Sequence, residues 1–184
     1  MFDFKTFPTL TTERLILREL QPNDAPAVFR IRGDYEVTKY NTGAPYENVQ
    51  HAVQMIDAVK AAYDKENELR WGITFKSHGN VIGMCGYNYW DRTDHRASIG
   101  YDLARDYWRQ GIMTEALRAI LAFGFEQMRL HRIEADASVY NEASIRLLRK
   151  LGFVQEGIRR DQYYEDNAYH DLMLFGLLAQ EYMP

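Results

Sequence analysis

The sequence predicts one α+β domain spanning residues 1–184, with a mixed, mostly antiparallel central sheet of about seven strands flanked by helices. Short runs of apolar and aromatic residues recur along the chain, and amphipathic helical patterns separate some of them. No repeat, low-complexity tract or linker divides the 184 residues. A chain of this length buries roughly 70% of the surface that its unfolded form exposes, so a large core forms without disulfide or metal support.

Charge and cysteine content exclude several classes of protein. The net charge of -4 and the pI near 5.7 argue against nucleic acid as the main ligand. Cys85 is the only cysteine, so no intrachain disulfide can form and we expect a cytoplasmic protein. The first residues lack a signal-peptide pattern, and no apolar stretch approaches the ~20 residues of a membrane span. The five histidines are widely separated, so we expect no metal site.

The first half of the chain is predicted to begin with a strand and a helix. Arg14–Leu20 is typical of an opening strand, and Pro22-Asn23-Asp24 supplies the turn and capping residues that start a helix. Asn41–Pro45 is predicted to be a loop. Residues from Glu47 to Asp64 form a second amphipathic helix, because apolar residues recur there at helical spacing.

An antiparallel meander is predicted to follow. Leu69–Phe75 and Val81–Tyr87 are two apolar-aromatic runs, and Lys76–Asn80 between them contains the Gly-Asn pair of a tight hairpin turn. Ala97–Leu103 continues the meander after the charged turn Asp91–Arg96. The sheet therefore has four strands by this point of the chain.

The second half is predicted to add a β-α-β unit and two further strands. The expected order is helix Thr114–Met128, strand Arg132–Val139, helix Glu142–Leu151, extended Phe153-Val154 and strand Asp171–Leu178. Gly152 is the residue type that ends a helix in a left-handed cap.

The segment from Asp102 to Leu117 runs from a strand through a short loop into a helix. The first N–H groups of a helix have no intrahelical partner, and together with the helix dipole they attract a diphosphate. Gly111 lets a ligand approach the main chain closely. The segment lacks the Gly-Lys-Ser/Thr of a P-loop. Taken alone, a single glycine at this position is more typical of an ordinary helix start.

Several motifs in this order resemble the GCN5-related N-acetyltransferase (GNAT) family, in its ribosomal-protein-alanine (RimJ/RimL-like) branch. The resemblance covers nearly the full chain. The segments that carry it are Leu10–Arg18, Ile99-Gly100-Tyr101, Tyr107–Ala116, Asn141–Ser144 and Leu151-Gly152-Phe153.

The resemblance implies a sheet whose fourth and fifth strands splay apart and hold acetyl-coenzyme A (acetyl-CoA) between them, while an amine approaches from the opposite side. It places the pyrophosphate loop on Trp108–Met113. Trp108 and Met113 depart from the family's usual Gln/Arg and Gly/Ala there. The cofactor-binding residues that it implies are Leu103, Arg109, Gln110, Gly111, Ile112, Met113, Thr114 and Asn141. Asn141 is also a suitable N-cap for the next helix.

Acetyl transfer to an amine needs a neutral nucleophile, a positioned thioester, a donor for the carbonyl oxygen and a proton for the leaving thiolate. The resemblance implies the Leu103 N–H as the donor. Many family members use a tyrosine as the acid, but Leu148 stands at that position, and Ser144 is our candidate instead. Ser144 is equally suited to be a small polar residue in a first helical turn.

The general base is not specified by a motif. Glu134 and Asp136 share one side of their strand, and Glu134 is our catalytic candidate. Both are also typical of a solvated strand residue. Asp161, Glu165 and Asp166 lie in a stretch with tyrosines, read here as a loop that attracts a cationic substrate.

We therefore expect an enzyme that acetylates a primary amine by direct transfer, with acetyl-CoA as co-substrate and without a metal. The leading acceptor is the N-terminal α-amine of a protein, of the ribosomal-protein kind. The alternatives are a polyamine, aminoglycoside or amino acid acceptor, and a CoA-binding protein without catalysis. We expect no nucleic-acid or membrane partner. A homodimer is compatible with exposed aromatic residues, although Trp90 suits an interface or packing under a loop.

Overall fold

The computed structural model describes residues 3–41, 43–165 and 167–183. Within them eight strands form one sheet: β1 (Leu10–Thr11), β2 (Leu15–Glu19), β3 (Leu69–Phe75), β4 (His78–Asp91), β5 (Arg96–Leu103), β6 (Arg132–Ser138), β7 (Val154–Glu165) and β8 (Ala168–Leu178). Their order across the sheet is β1-β2-β3-β4-β5-β6-β8-β7. The β5–β6 pair is parallel, and the other neighbouring pairs are antiparallel. The prediction of a mixed, mostly antiparallel sheet is confirmed.

Five α-helices accompany the sheet in the described part of the chain: α1 (Ala25–Arg32), α2 (Tyr35–Thr38), α3 (Val49–Asp64), α4 (Ile112–Ala122) and α5 (Glu142–Lys150). Asn48 caps α3 and Asn141 caps α5 through their side-chain oxygens. Gly152 has a φ of 90°, which confirms the predicted left-handed cap after α5. The sequence missed α2, because a single helical turn is too short to show a period.

The helix after β5 extends to Gln127 but changes type. Its last turn, Phe123–Gln127, is a π-helix. The Tyr87 hydroxyl donates a hydrogen bond of 2.5 Å to the Ile120 carbonyl, and a Cβ on Gly124 would lie 2.1 Å from that hydroxyl oxygen. A side chain inserted into the helical ladder displaces the following hydrogen bonds. The amphipathic pattern thus predicted a helix but not this turn.

The local corrections concern turns and strand ends. There is one strand more than the predicted seven, because Leu10–Thr11 is too short to show alternation. The β3–β4 turn lies at Lys76-Ser77, so Gly79-Asn80 belongs to β4 and not to the turn. Gln162–Tyr164 lies in strand β7 and not in a loop. Thr42 and Asp166, which the sequence places in loops, lie outside the described residues.

The two faces of the sheet pack on different helices. Trp71, Cys85 and Tyr101 lie directly opposite one another on β3, β4 and β5, and direct partners share a face. This face carries the larger core, with residues of α4 and α5. The opposite face packs on α1 and α3 through a smaller core that includes Met84. The two faces of the sheet are therefore covered by different helices and different cores.

Strands β5 and β6 are joined only at one end. Their register comprises Arg96↔Arg132, Ala97↔Ile133 and Ser98↔Glu134. The rest of β6 continues to pair with β8, as far as Ser138↔Leu172. Beyond Ser98 the two strands therefore diverge. This confirms the splay between the family's fourth and fifth strands, which are β5 and β6 here.

Trp90 packs within the molecule. Its ring centroid lies 5.6 Å from that of Phe4, and the Arg92 guanidinium lies 4.6 Å above it. A search of the described helices for one long and apolar enough to cross a membrane finds none.

Candidate active site

A cavity of about 300 Å³ lies where β5 and β6 diverge. That volume is at the lower end of the range of ligand pockets. Residues from both faces of the sheet line it, together with residues from α1, the segment after α2, and the start of α5. The polar lining includes Arg32, Asn41, Arg70, Asn88, Tyr101, Asp102, Asp136, Asn141, Ser144 and Tyr163. The cavity thus connects the two faces through the gap between the strands.

Tyr101 and Ser144 form a hydroxyl pair on the α4–α5 face. Their oxygen atoms are 2.6 Å apart. Ser144 is held by its place in the first turn of α5, where its N–H donates to the Asn141 side chain at 3.1 Å. Burial raises the pKa of Tyr101 to about 12, although the hydrogen bond with Ser144 opposes the shift. Both hydroxyls are therefore protonated at neutral pH and can donate.

The sequence missed Tyr101 as a partner of Ser144. Forty-three positions separate the two residues, and the contact depends on how α5 docks beside β5. Asn141 caps α5, as one of the two interpretations of its sequence position predicts. Leu148 is fully buried in the larger core, so it offers no acid.

Asp136 lies on the opposite face of the gap. It alternates with buried Ala135 and Ala137 along β6, and it lines the cavity. Partial burial raises the pKa of this carboxyl above its ordinary value, and the charge of Arg159 opposes that rise. Such a carboxyl, poised in a cleft, is suited to accept a proton.

The structure places Glu134 away from Ser144. Its carboxylate pairs with Arg132, at 2.8 Å from the guanidinium Nε, and it does not line the cavity. Alternation on the strand put Glu134 and Asp136 on one side, as predicted. Their distance along β6 separates them, because the strands are still paired at Glu134 and have parted at Asp136.

The backbone of Leu103 faces the gap. The Ala104 N–H donates to the Ile82 carbonyl on β4, and Leu103 lies opposite Gly83. Backbone groups alternate in direction along an antiparallel strand, so the N–H and C=O of Leu103 point away from β4. Its carbonyl oxygen accepts from the Trp108 indole at 2.7 Å. The N–H is left directed toward the diverging edge.

The predicted pyrophosphate loop follows at the diverging end of β5. Arg109 and Gly111 have φ of 60° and 76°, which bends the chain into the start of α4. Ile112, Met113 and Thr114 are the first residues of α4, so their N–H groups have no intrahelical partner. Ile112 and the unusual Met113 bury their side chains in the larger core. Met113 therefore leaves its N–H unobstructed.

A polar cluster that sequence reasoning missed supports this loop. The Glu115 carboxylate, in the first turn of α4, accepts hydrogen bonds from the Thr12 hydroxyl, the Arg14 N–H and the Arg14 Nε, at 2.5–2.8 Å. Arg14 also donates to the Gln110 carbonyl at 3.2 Å. Burial raises the pKa of Glu115, but the bonds to Thr12 and Arg14 outweigh it and lower that pKa. The signals in the sequence were the resemblances of Leu10–Arg18 and Tyr107–Ala116 to the family.

The aromatic hairpin of β7 and β8 contributes two residues to the cavity lining, Tyr163 and Leu172. Tyr163 lines it and stacks on His170 at 5.0 Å between centroids. Asp161 and Glu165 do not line it, and the Asp161 N–H donates to Asp171. The predicted attraction of a cation by these carboxylates therefore has no support in their placement.

The gap between β5 and β6, with the free N–H groups at the start of α4, defines an acetyltransferase of the GNAT class. Residues 14–154 match the family model described as an acetyltransferase (GNAT) domain, and the chain belongs to that family. It is 38% identical over 174 residues to the uncharacterised N-acetyltransferase p20 of Bacillus licheniformis, covering 95% of this chain and 98% of the relative. It is 25% identical to the [ribosomal protein uS5]-alanine N-acetyltransferase of Escherichia coli (strain K12), covering 95% and 93%.

A solved structure of Mycobacterium smegmatis RimJ in complex with CoA-disulfide superposes with a TM-score of 0.87 at 25% identity, covering 95% of this chain and 89% of that one. The chain is an acetyltransferase enzyme, and GNAT acetyltransferases use acetyl-CoA. The free N–H groups at the start of α4 and at Leu103 are suited to its diphosphate and its thioester carbonyl, respectively.

Proposed function

We propose that this enzyme acetylates the N-terminal α-amine of a protein, with a ribosomal protein as the acceptor class. One observation carries the proposal: Asp136 and the Tyr101–Ser144 pair line one cavity from opposite faces of the sheet. The acceptor class is supported by relatives that are named ribosomal-protein acetyltransferases.

In this proposal the acceptor amine reacts in its neutral form. Its nitrogen forms a bond to the acetyl carbon, and Asp136 accepts the proton that this nitrogen then loses. The Leu103 N–H donates to the carbonyl oxygen as negative charge develops there. The carbon–sulfur bond breaks, and Ser144 donates its proton to the sulfur while Tyr101 replaces that proton. Asp136 then releases the proton it accepted to solvent, and Tyr101 regains one from solvent, which restores both groups. The N–H groups from Arg109 to Thr114 hold the diphosphate, and Asn141 holds Ser144 in position.

Asp136 takes the role for which Glu134 was the candidate, because Asp136 lines the cavity and Glu134 does not. A single poised carboxyl suits one amine. Polyamines and aminoglycosides carry several positive charges, and the guanidinium groups of Arg32 and Arg70, which also line the cavity, disfavour them. A ribosomal acceptor is consistent with the cytoplasmic location that the sequence predicts.

The test is the release of free CoA thiol from acetyl-CoA with a panel of acceptors: peptides with free N-termini, the same peptides with acetylated N-termini, polyamines and aminoglycosides. We expect release with the free peptides only, and mass spectrometry should place the acetyl group on the α-amine. Release with a small polycation alone would contradict the proposal. If no acceptor causes thiol release although acetyl-CoA binds, the result would favour a CoA-binding protein without catalysis.

A further inference from the structure

The acceptor side of the cavity contains two arginines that the chemistry above does not use. Arg70 lies on β3, directly opposite Gly86 on β4, and Gly86 lies opposite Gly100 on β5. These residues share the face that carries Asp102 and Asp136. The two glycines raise no side chain beside Arg70, so its long side chain can reach over the sheet to the cavity, which it lines.

Hydrogen bonds to neighbouring residues position the Arg70 side chain but do not use all of its donors. Its Nε donates to Glu68 at 2.8 Å and its Nη2 donates to the Asn88 side chain. The Asn88 amide occupies the space that a Cβ on Gly100 would fill. Within residues 3–41, 43–165 and 167–183, Nη1 has no protein partner. The carboxylate of Glu68 accepts only from Nε. The Nη1–Nη2 edge of the guanidinium, which can form two parallel hydrogen bonds to a carboxylate, is therefore not paired with one among the described residues.

Arg32 approaches the same cavity from α1. Its Nη1 donates to Asp102 at 3.0 Å, and Asn41 donates to the other oxygen of that carboxylate at 2.7 Å. Asp102 is therefore fully engaged and buried. The Arg32 Nε is buried and, among the described residues, has no hydrogen-bond partner. A buried donor without a partner is costly, and the guanidinium that carries it also lines the cavity.

We infer that the acceptor carries a carboxylate close to its reactive amine, and that Arg70 binds this carboxylate with support from Arg32. The inference rests on the proposed function and specifies its substrate class. Asp136 contacts the amine and the arginines bind the carboxylate, so each polar group of the acceptor lies beside a protein group of the opposite charge. The acid is either the side chain of an acidic residue among the first three of a peptide, or the α-carboxylate of a free amino acid.

Binding is measured by calorimetry on the full chain saturated with CoA. The probes are matched tetrapeptides with free N-termini that carry glutamate or glutamine at position one, two or three, together with alanine and alaninamide. We expect at least one acidic member to bind about tenfold or more tightly than its neutral partner, the size expected for a hydrogen bond to a charged group. Equal affinity within every pair overturns the inference.

Variants locate the effect. Arg70→Gln should reduce the preference to about one, and Arg70→Lys should retain part of it, because lysine keeps the charge but not the planar fork. Arg92→Gln is the matched control, since Arg92 also pairs with a glutamate, Glu66, but outside this cavity. CoA affinity and the unfolding midpoint report whether each variant folds. A preference that persists in a folded Arg70→Gln variant overturns the assignment to Arg70.

Acetylation of the same probes distinguishes this inference from the proposed function. Turnover of acidic and neutral peptides at equal rates, with equal affinities, overturns the inference and leaves Nα-acetylation standing. Preferential binding and turnover of alanine over alaninamide, with no peptide acetylated, supports the carboxylate and overturns the protein acceptor. Preferential binding of an acidic peptide without any turnover supports the carboxylate and overturns acetyl transfer to that peptide.

Discussion

Asp136 and Glu134 are two residues apart on β6, and their surroundings differ. The pKa of Asp136 is raised by partial burial, whereas Glu134 is paired with Arg132. If Asp136 is the base, kcat/KM falls as the pH falls through its raised pKa, since only the ionised form accepts a proton. We expect Asp136→Asn to lower kcat/KM by about 100-fold or more and to abolish this acid limb. Glu134→Gln is the matched control and should retain the limb.

Stability should respond to the same Asp136 substitution in the opposite direction. The pKa of Asp136 is raised in the folded state, whereas in the unfolded chain it is about 3.9. Ionisation of Asp136 therefore favours the unfolded state. The free energy of unfolding decreases as the pH rises through this range. At pH 7, Asp136→Asn should therefore unfold thermally at the same temperature as the parent chain or higher. A clear loss of stability would indicate that the carboxylate is structural.

The hydroxyl pair gives a second prediction at the residue scale. Ser144→Ala and Tyr101→Phe should each lower kcat by about tenfold or more and leave the KM for acetyl-CoA nearly unchanged, because the lost proton donor acts on the leaving sulfur. The double variant should lose little more than either single variant, since the two residues act as one unit. Steady-state rates measure this, with Ser98→Ala, on the opposite face of β5, as the control. Unaltered kcat in both single variants would remove the pair from the chemistry.

At the scale of the element, the start of α4 depends on Glu115. The Thr12 and Arg14 bonds to this carboxylate join the N-terminal strands to the loop, and Glu115 lies in the first turn, where the helix dipole favours an acid. Glu115→Gln should raise the KM for acetyl-CoA with little change in kcat. It should also destabilise the fold by about 1.5–3 kcal/mol, the scale of a hydrogen bond to a charged group.

The pH dependence of this contribution follows from the lowered pKa of Glu115. In the unfolded chain the pKa of this carboxyl is about 4.3. The stabilisation is therefore fully present above that pH, and it is lost as the pH falls through the lower pKa of the folded state. Acid unfolding monitored by circular dichroism should show the parent and the Glu115→Gln variant converging below this range. Glu142→Gln, in the exposed first turn of α5, should change neither the KM for acetyl-CoA nor the stability. A persistent difference at low pH would assign the effect to packing.

At the scale of the whole molecule, the sheet is nearly divided in two. Three residue pairs join β5 to β6, and beyond Ser98 the two strands part. A ligand in the gap should therefore connect the two halves. We expect CoA to slow amide exchange at both edges, 99–103 and 135–138, as well as in the loop 109–114, and to raise the unfolding midpoint by mass action. Protection confined to 109–114 would contradict binding in the gap.

Much of this architecture was predictable from local pattern. The alternation of Ile133, Ala135 and Ala137 marks β6, the apolar stripe of Leu117 and Ile120 marks α4, and Gly152 marks the end of α5. These signals are properties of neighbouring residues, so they survive without knowledge of the fold. The π-turn, the β3–β4 turn and β1 were wrong or missed, because each depends on a partner elsewhere, such as the Tyr87 hydroxyl in the helix.

The sequence by itself determined the fold class from patterns of neighbouring residues, and its resemblance to the GNAT family, carried by motifs in a set order, implied the splayed gap and the loop at Gly111. Only the tertiary structure decided which residues meet in the cavity. Ser144 is paired with Tyr101, and Asp136 and Arg70 line the cavity whereas Glu134 does not. The physical reason is that a site assembled from separate strands and helices depends on how far each strand continues to pair and on which face each residue lies.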